Sequence, residues 1–268
     1  MAGLFSNTCQ DCRSTVAPHR PAIVAMISRT ALINGADLTA LEHSVQSIVE
    51  VRRYEKDELV RLLVDGWCSA VDSAFDRDMP DSNEEKALAD FVKYFSLPSS
   101  LLDEHGHFTR LVKAAVIREA LDGKLPKRMD VSGNLPFNLK KSEEIVWVFE
   151  KVKYFENQTR TQYLGGSRGV SIRIGRGLYY RVGEFRGERI QSLRNVHADT
   201  GLLAVTSQHI YFHGPSKAFR IPYSKIVSFE PFADGFGLNR DALTAQPQTF
   251  ETGDGWFVYN LVTNLARR

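Results

Sequence analysis

The stretch Gly201-Leu202-Leu203-Ala204-Val205-Thr206-Ser207-Gln208-His209-Ile210-Tyr211-Phe212-His213-Gly214 decides the reading of the carboxy-terminal half. Leu203 and Val205 precede a short polar turn that starts at Thr206, and Ile210 and Phe212 follow it. A period of two on both sides of a tight turn predicts a β-hairpin with these four side chains packed inward.

Working outward, the same period recurs. Val170, Ile172 and Ile174 alternate with Ser171 and Arg173, predicting a half-buried strand with a basic outer face. Ile145 to Phe149 is apolar on both sides, as a central strand is. Residues 179–182, 218–221 and 226–229 supply further short strands separated by glycine and polar turns. The tail returns to helical spacing with Trp256, Tyr259, Val262 and Leu265 on one face and Asn260 and Asn264 facing outward.

Before Pro136 the period is that of helices. Leu59, Leu62, Leu63, Trp67, Ala70, Val71, Ala74 and Phe75 form one apolar stripe, and Ala87, Leu88, Phe91, Val92 and Phe95 form a second. Leu111, Val112, Ala115, Val116 and Leu121 make a third, and Leu41 to Val51 an earlier one. Ser82, three residues before Glu85, reads as a capping box. The expected fold class is therefore α+β: an all-α domain followed by a β-barrel or sandwich closed by a carboxy-terminal helix. The expected division is a cysteine-containing segment over 1–35, a helical domain over 36–125, a linker over 126–139 and the β domain over 140–268.

Charge follows this division. The chain of 268 residues carries a formal +2, but residues 1–135 sum to −4 and residues 136–268 to +6. Eight arginines fall between Arg160 and Arg194, and only Glu184 and Glu188 oppose them, leaving that span at +6. Guanidinium forks suit phosphate and carboxylate, so Arg168, Arg173, Arg176, Arg181, Arg186 and Arg189 are the candidate ligand- or partner-binding residues. The competing reading is a solvated strand face that pairs with the acidic helical half.

Two families resemble parts of this chain. The 201–214 hairpin, Ile221-Pro222-Tyr223-Ser224-Lys225-Ile226, Asp234-Gly235-Phe236-Gly237-Leu238 and residues 171–181 are similar, in that role, to bacterial PH-like and GRAM-type domains. Gln208-His209 stands where that family usually has Lys or Asn followed by Arg at the hairpin turn. Residues 71–85, followed by Leu88, Phe91 and Phe95-Ser96-Leu97, resemble the centre of the TerB-like helical domain. Arg77-Asp78 replaces that family's usual Asp-Gly. The resemblances imply an adaptor that binds a protein partner, in a bacterial stress-response or phage-defence setting. Three cysteines, too few for a disulfide framework in a chain this long, and the lack of a secretory pattern lead us to expect a cytoplasmic address, and the PH-like resemblance adds the inner membrane face as the place of a lipid-binding barrel.

Metal-ligating candidates are sparse. Cys9 and Cys12, with His19 after them, have the spacing of half a structural zinc site, which His43 or Cys68 would have to complete; two free thiols are the plainer reading. Carboxylates at Asp76, Asp78 and Glu85 suit a hard cation, although acids at a helix start are also favoured by the helix dipole. His209 and His213 share a strand face, where Asp199 is placed to orient one of them. No nucleotide P-loop, nucleophile motif or metal triad is present, so no enzyme is expected. No run is apolar enough to span a membrane and no secretory pattern opens the chain. Three partner classes remain for the arginines: a protein, including a second copy of this chain, an anionic lipid headgroup, or a nucleic acid.

Overall fold

A computed structural model describes residues 19–52, 56–77, 79–129, 135–158, 170–175, 178–182, 194–242 and 245–268. The chain divides into two compact units, Met1–Ala115 and Val116–Arg268.

The first unit is helical. Its helices are α1 (Arg20–Ala31), α2 (Leu38–Arg52), α3 (Lys56–Arg77), α4 (Ser82–Tyr94), the short α5 (Ser99–Leu102) and α6 (His107–Leu121), within which the division falls. The expected stripes bury: Leu62, Trp67, Ala70, Val71, Leu88 and Phe91 sit in one core with Leu41 and Val45. Helix α1 was not anticipated. Its Ile23, Ile27 and Ala31 belong to this core, while Arg20 at its start bonds Glu58 and, at 2.6 Å, Asp65 of α3. The cap of α4 also differs from expectation. Asp81, in extended conformation, accepts from the Asn83 and Glu84 amides at 2.8 Å, and Glu84 accepts the Asp81 amide at 3.2 Å. Ser82 is already helical, so the three-residue spacing of the box is met one position earlier.

The second unit is an antiparallel sheet with a carboxy-terminal helix. The strands are β1 (Ile145–Gln158), β2 (Val170–Gly175), β3 (Leu178–Val182), β4 (Arg194–Thr206), β5 (His209–His213), β6 (Ala218–Pro222), β7 (Ile226–Pro231), β8 (Gly235–Arg240) and β9 (Gln248–Glu251), followed by α7 (Gly255–Leu265). Seven of them form one sheet in the order β6-β5-β4-β1-β9-β8-β7, and β2 and β3 form a separate pair. The α+β reading holds, a helical region followed by an antiparallel sheet and a carboxy-terminal helix; the sheet is not closed, and its edges are β6 and β7.

Strand β1 is long enough to serve both halves of the sheet because it bends. Lys151 has φ +55°, and the β1–β4 register gains a residue on β1 between Phe149 and Val152. Such a bulge kinks the strand, and beyond it residues 153–156 pair with β9 as well as with β4. The predicted hairpin holds: Leu203, Val205, Ile210 and Phe212 are buried. Ala204 and Tyr211 on the opposite face are buried too.

Edge strand β7 carries its own bulge. Val227 lies where the register with β8 skips, and it is 68% exposed. A bulged edge, and a β6 edge ending in Pro222, discourage pairing with a further strand.

Helix α7 buries Phe257, Val258, Leu261, Val262 and Leu265 rather than a stripe led by Trp256 and Tyr259. Asp254 caps it by accepting the Phe257 amide, and the Phe257 ring lies 4.8 Å from Trp147. Apolar residues cover so wide an arc of this helix that spacing alone does not choose its buried face.

Candidate functional site

The arginine-rich segment is organised by the strands that flank it. The β1–β4 ladder runs from Ile145 opposite Thr206 to Gln158 opposite Arg194. Residues 159–193, called the arm below, are therefore the connection between the paired ends of these two strands, and of them residues 170–175 and 178–182 are described, as the pair β2–β3. Within the arm the β2–β3 register sets Arg173 opposite Tyr179 and Ser171 opposite Arg181. Alternation places these four residues on one face of the ribbon, and Val170, Ile172, Tyr180 and Val182 on the other. Of the six candidate arginines, Arg173 and Arg181 thus fall on one face of the ribbon by register, while Arg168, Arg176, Arg186 and Arg189 lie outside the described residues.

The root of the arm rests on a polar network. Tyr154 donates to Glu156 at 3.0 Å and accepts from the Gln248 amide at 2.6 Å, and Lys217 donates to Glu156 at 3.0 Å. Burial pushes the Tyr154 phenol up to about 12, helped by Glu156 against the opposing Gln248 bond, so it stays a donor at neutral pH. Beside it, Asp199 accepts the Ser216, Lys217 and Thr200 amides at 2.8, 2.7 and 2.9 Å. Burial opposes ionisation of this carboxyl, but the three amides hold it below its ordinary range. A side chain at Gly214 has no room here, because its Cβ would lie 2.5 Å from Asp199 Oδ2. Gly214→Ala is accordingly expected to cost about 1–3 kcal/mol, read from the urea midpoint.

Asp199 therefore anchors the β5–β6 turn and orients neither histidine. The carboxylate that meets His209 is Glu143, which the sequence did not single out. Its Oε1 lies 2.8 Å from His209 Nδ1 and accepts the Thr206 hydroxyl, and its Oε2 accepts Tyr211 at 2.6 Å and the Lys140 amide at 3.1 Å. Burial would raise the Glu143 carboxyl, but bonds from Thr206, Tyr211, Lys140 and His209 outweigh it and hold the group ionised below the usual range. The side chain is 0% exposed. His213, on the same strand face, lies 6.4 Å from the Phe137 ring in an edge-on arrangement.

The expected metal ligands do not converge among the described residues: no three His, Cys, Asp or Glu side chains there form a metal-binding group. Cys9, Cys12 and Asp78 lie outside those residues, and His19 is exposed at the start of α1. Asp76 lies in the last turn of α3 and Glu85 stands in the first turn of α4. Neighbouring acids are otherwise engaged: Glu84 by Arg77 at 2.7 Å, and Asp72 by His107 at 3.2 Å and Arg110 at 3.3 Å. Among the described residues no helix is long and apolar enough to cross a membrane. No protein-family model and no curated protein matches this chain.

Proposed function

We propose that this chain is a non-enzymatic binding protein whose arm, residues 159–193, recognises an acidic surface on a protein partner. The observation that carries the reading is the β1–β4 ladder, which pairs Gln158 with Arg194 and so brings the two flanks of the arginine-rich segment together. The composition of the arm supports a protein over other polyanions. It is rich in Arg, holds Tyr163, Tyr179, Tyr180 and Phe185, and has no Lys. Arg and aromatic residues are enriched, and Lys depleted, where protein interfaces gain their affinity. The protected sheet edges favour the arm over strand addition as the recognition element. Burial of Glu143 and His209, at 0% and 5% side-chain exposure, supports a structural rather than a catalytic use of that cluster. The stress-response or phage-defence setting and the adaptor role are what the PH-like and TerB-like resemblances add to this proposal.

The test compares the full chain with its Arg173→Glu/Arg181→Glu variant in quantitative cross-linking to host extract at about 0.15 M salt. A protein partner retained by the parent chain and reduced about tenfold or more in the variant is the expected result. Equal retention by both overturns the assignment. So does a parent chain that retains no protein but sediments with anionic vesicles or shifts an oligonucleotide.

A further inference from the structure

Outside the arm, the back of the sheet carries a second feature of defined chemistry. Phe155 of β1 stands opposite Thr249 of β9, and Thr249 stands opposite Gly237 of β8, so one row across three strands runs from an aromatic ring to a glycine. In the next row, Lys153 stands opposite Glu251. From the β7–β8 turn, Phe232 folds back over the glycine: its ring edge is 3.1 Å from where a Gly237 Cβ would be. The absent side chain lets Phe232 settle there, and a trough of about 250 Å³ is lined by Phe155, Phe232, Thr249 and Phe250 together with Asp234 and Glu251.

The two carboxylates are not equivalent. Glu251 is held by Lys153 at 2.5 Å. Asp234 is exposed and its carboxylate makes no hydrogen bond among the described residues, although its charge, like that of Glu251, acts on Lys153; its backbone carbonyl anchors the turn, accepting the Thr252 and Gly253 amides at 2.8 Å. Aromatic walls with one open carboxylate at the rim favour a flat cation, which gains from the ring faces and from the charge together. The volume is below the range usual for drug-sized ligands and suits one long side chain.

We infer that this trough is a binding site for a guanidinium group, supplied by an arginine side chain of a protein partner. The guanidinium lies against Phe155 and Phe232 and pairs with Asp234. The site lies on the same strand as the root of the arm, three residues before Gln158, but it does not depend on what the arm binds.

The test is a nuclear magnetic resonance titration of the full chain with the blocked peptide acetyl-Gly-Arg-Gly-amide, its citrulline counterpart and its lysine counterpart. The arginine peptide is expected to give saturable shifts at the Phe155, Phe232, Asp234 and Thr249 amides. Asp234→Asn is expected to weaken it about fivefold, an exposed charge pair's worth, without altering signals elsewhere. The citrulline peptide, which keeps the shape and loses the charge, is expected not to saturate. Absence of saturable shifts with arginine, equal binding of citrulline, or indifference to Asp234→Asn overturns the site. Equal binding of lysine overturns the guanidinium assignment.

Discussion

Glu143→Ala is expected to destabilise the β unit by about 3–5 kcal/mol, because one substitution strands several buried donors at once. Thr206, His209 and Tyr211 all direct a polar group at this carboxylate, and Glu143 also closes its own turn through the Lys140 amide. The three side chains have little water to turn to: His209 and Tyr211 are each 4% exposed and Thr206 is 0%. Tyr223, which donates to the Thr206 carbonyl at 3.0 Å, extends the same cluster, and burial and the nearby Glu143 charge hold its phenol well above the ordinary range. Glu143→Gln keeps one acceptor oxygen and is expected to lose less.

The two variants also separate by pH. The folded Glu143 carboxyl sits below its ordinary value. Its contribution is therefore fully present above the unfolded pKa of about 4.3 and is lost as pH falls through the depressed folded value. Stability of the parent chain should decline with acid in that window, and Glu143→Gln should flatten the decline. Urea unfolding of the parent and both variants at several pH values measures this directly. Equal midpoints for parent and Glu143→Ala would remove the cluster as the anchor of the hairpin.

Trp67→Ala is the corresponding change in the helical unit, expected to cost about 3–5 kcal/mol. The ring is 0% exposed, lies in one core with Ile27, Leu62 and Leu88, and is 6.4 Å from Phe108. Its Nε1–H donates to the Leu88 carbonyl at 3.0 Å, tying α3 to α4 across the core. Trp67→Phe keeps most of the apolar contact and loses that bond, so a loss of about 1–2 kcal/mol is expected. The readout is the helical far-ultraviolet signal against denaturant. A Trp67→Ala chain that keeps the parent midpoint would mean the helices have another centre.

How far these features were legible depends on the range of the interactions. Trp67 was marked as core by its place in a three-and-four stripe, since that pattern is local. Helix α1 was hidden because Arg29 and the polar Ser28 and Thr30 break its apolar run, and Ser28 is nonetheless buried. The Asp81 cap was displaced by one residue because Asp81 and Ser82 are both good capping types, and only the backbone angle of Asp81 distinguishes them. Glu143 carried no signal: it is one of two adjacent acids before the first strand, and its partners lie 63, 66 and 68 residues away.

The arm divides in the same way. Its arginines, tyrosines and glycines are compositional facts, and the period of two over residues 170–174 marked a basic strand face without any structure. That Arg181 joins Arg173 on that face required the register of β3. The trough between Phe155 and Phe232 had no sequence signature, because its lining comes from β1, β9 and the β7–β8 turn, which only the fold brings together.

The sequence by itself determined what periodicity and composition can encode: helices before strands, the inward residues of the 201–214 hairpin, the acidic and basic halves. Those follow from which side chains leave water along one local element. Tertiary structure alone decided the open edges of the sheet, the bend at Lys151, the partner of His209 and the pairing of Gln158 with Arg194. Each is set by which distant strand a residue meets, and strand pairing depends on register between segments that local pattern leaves free to slide.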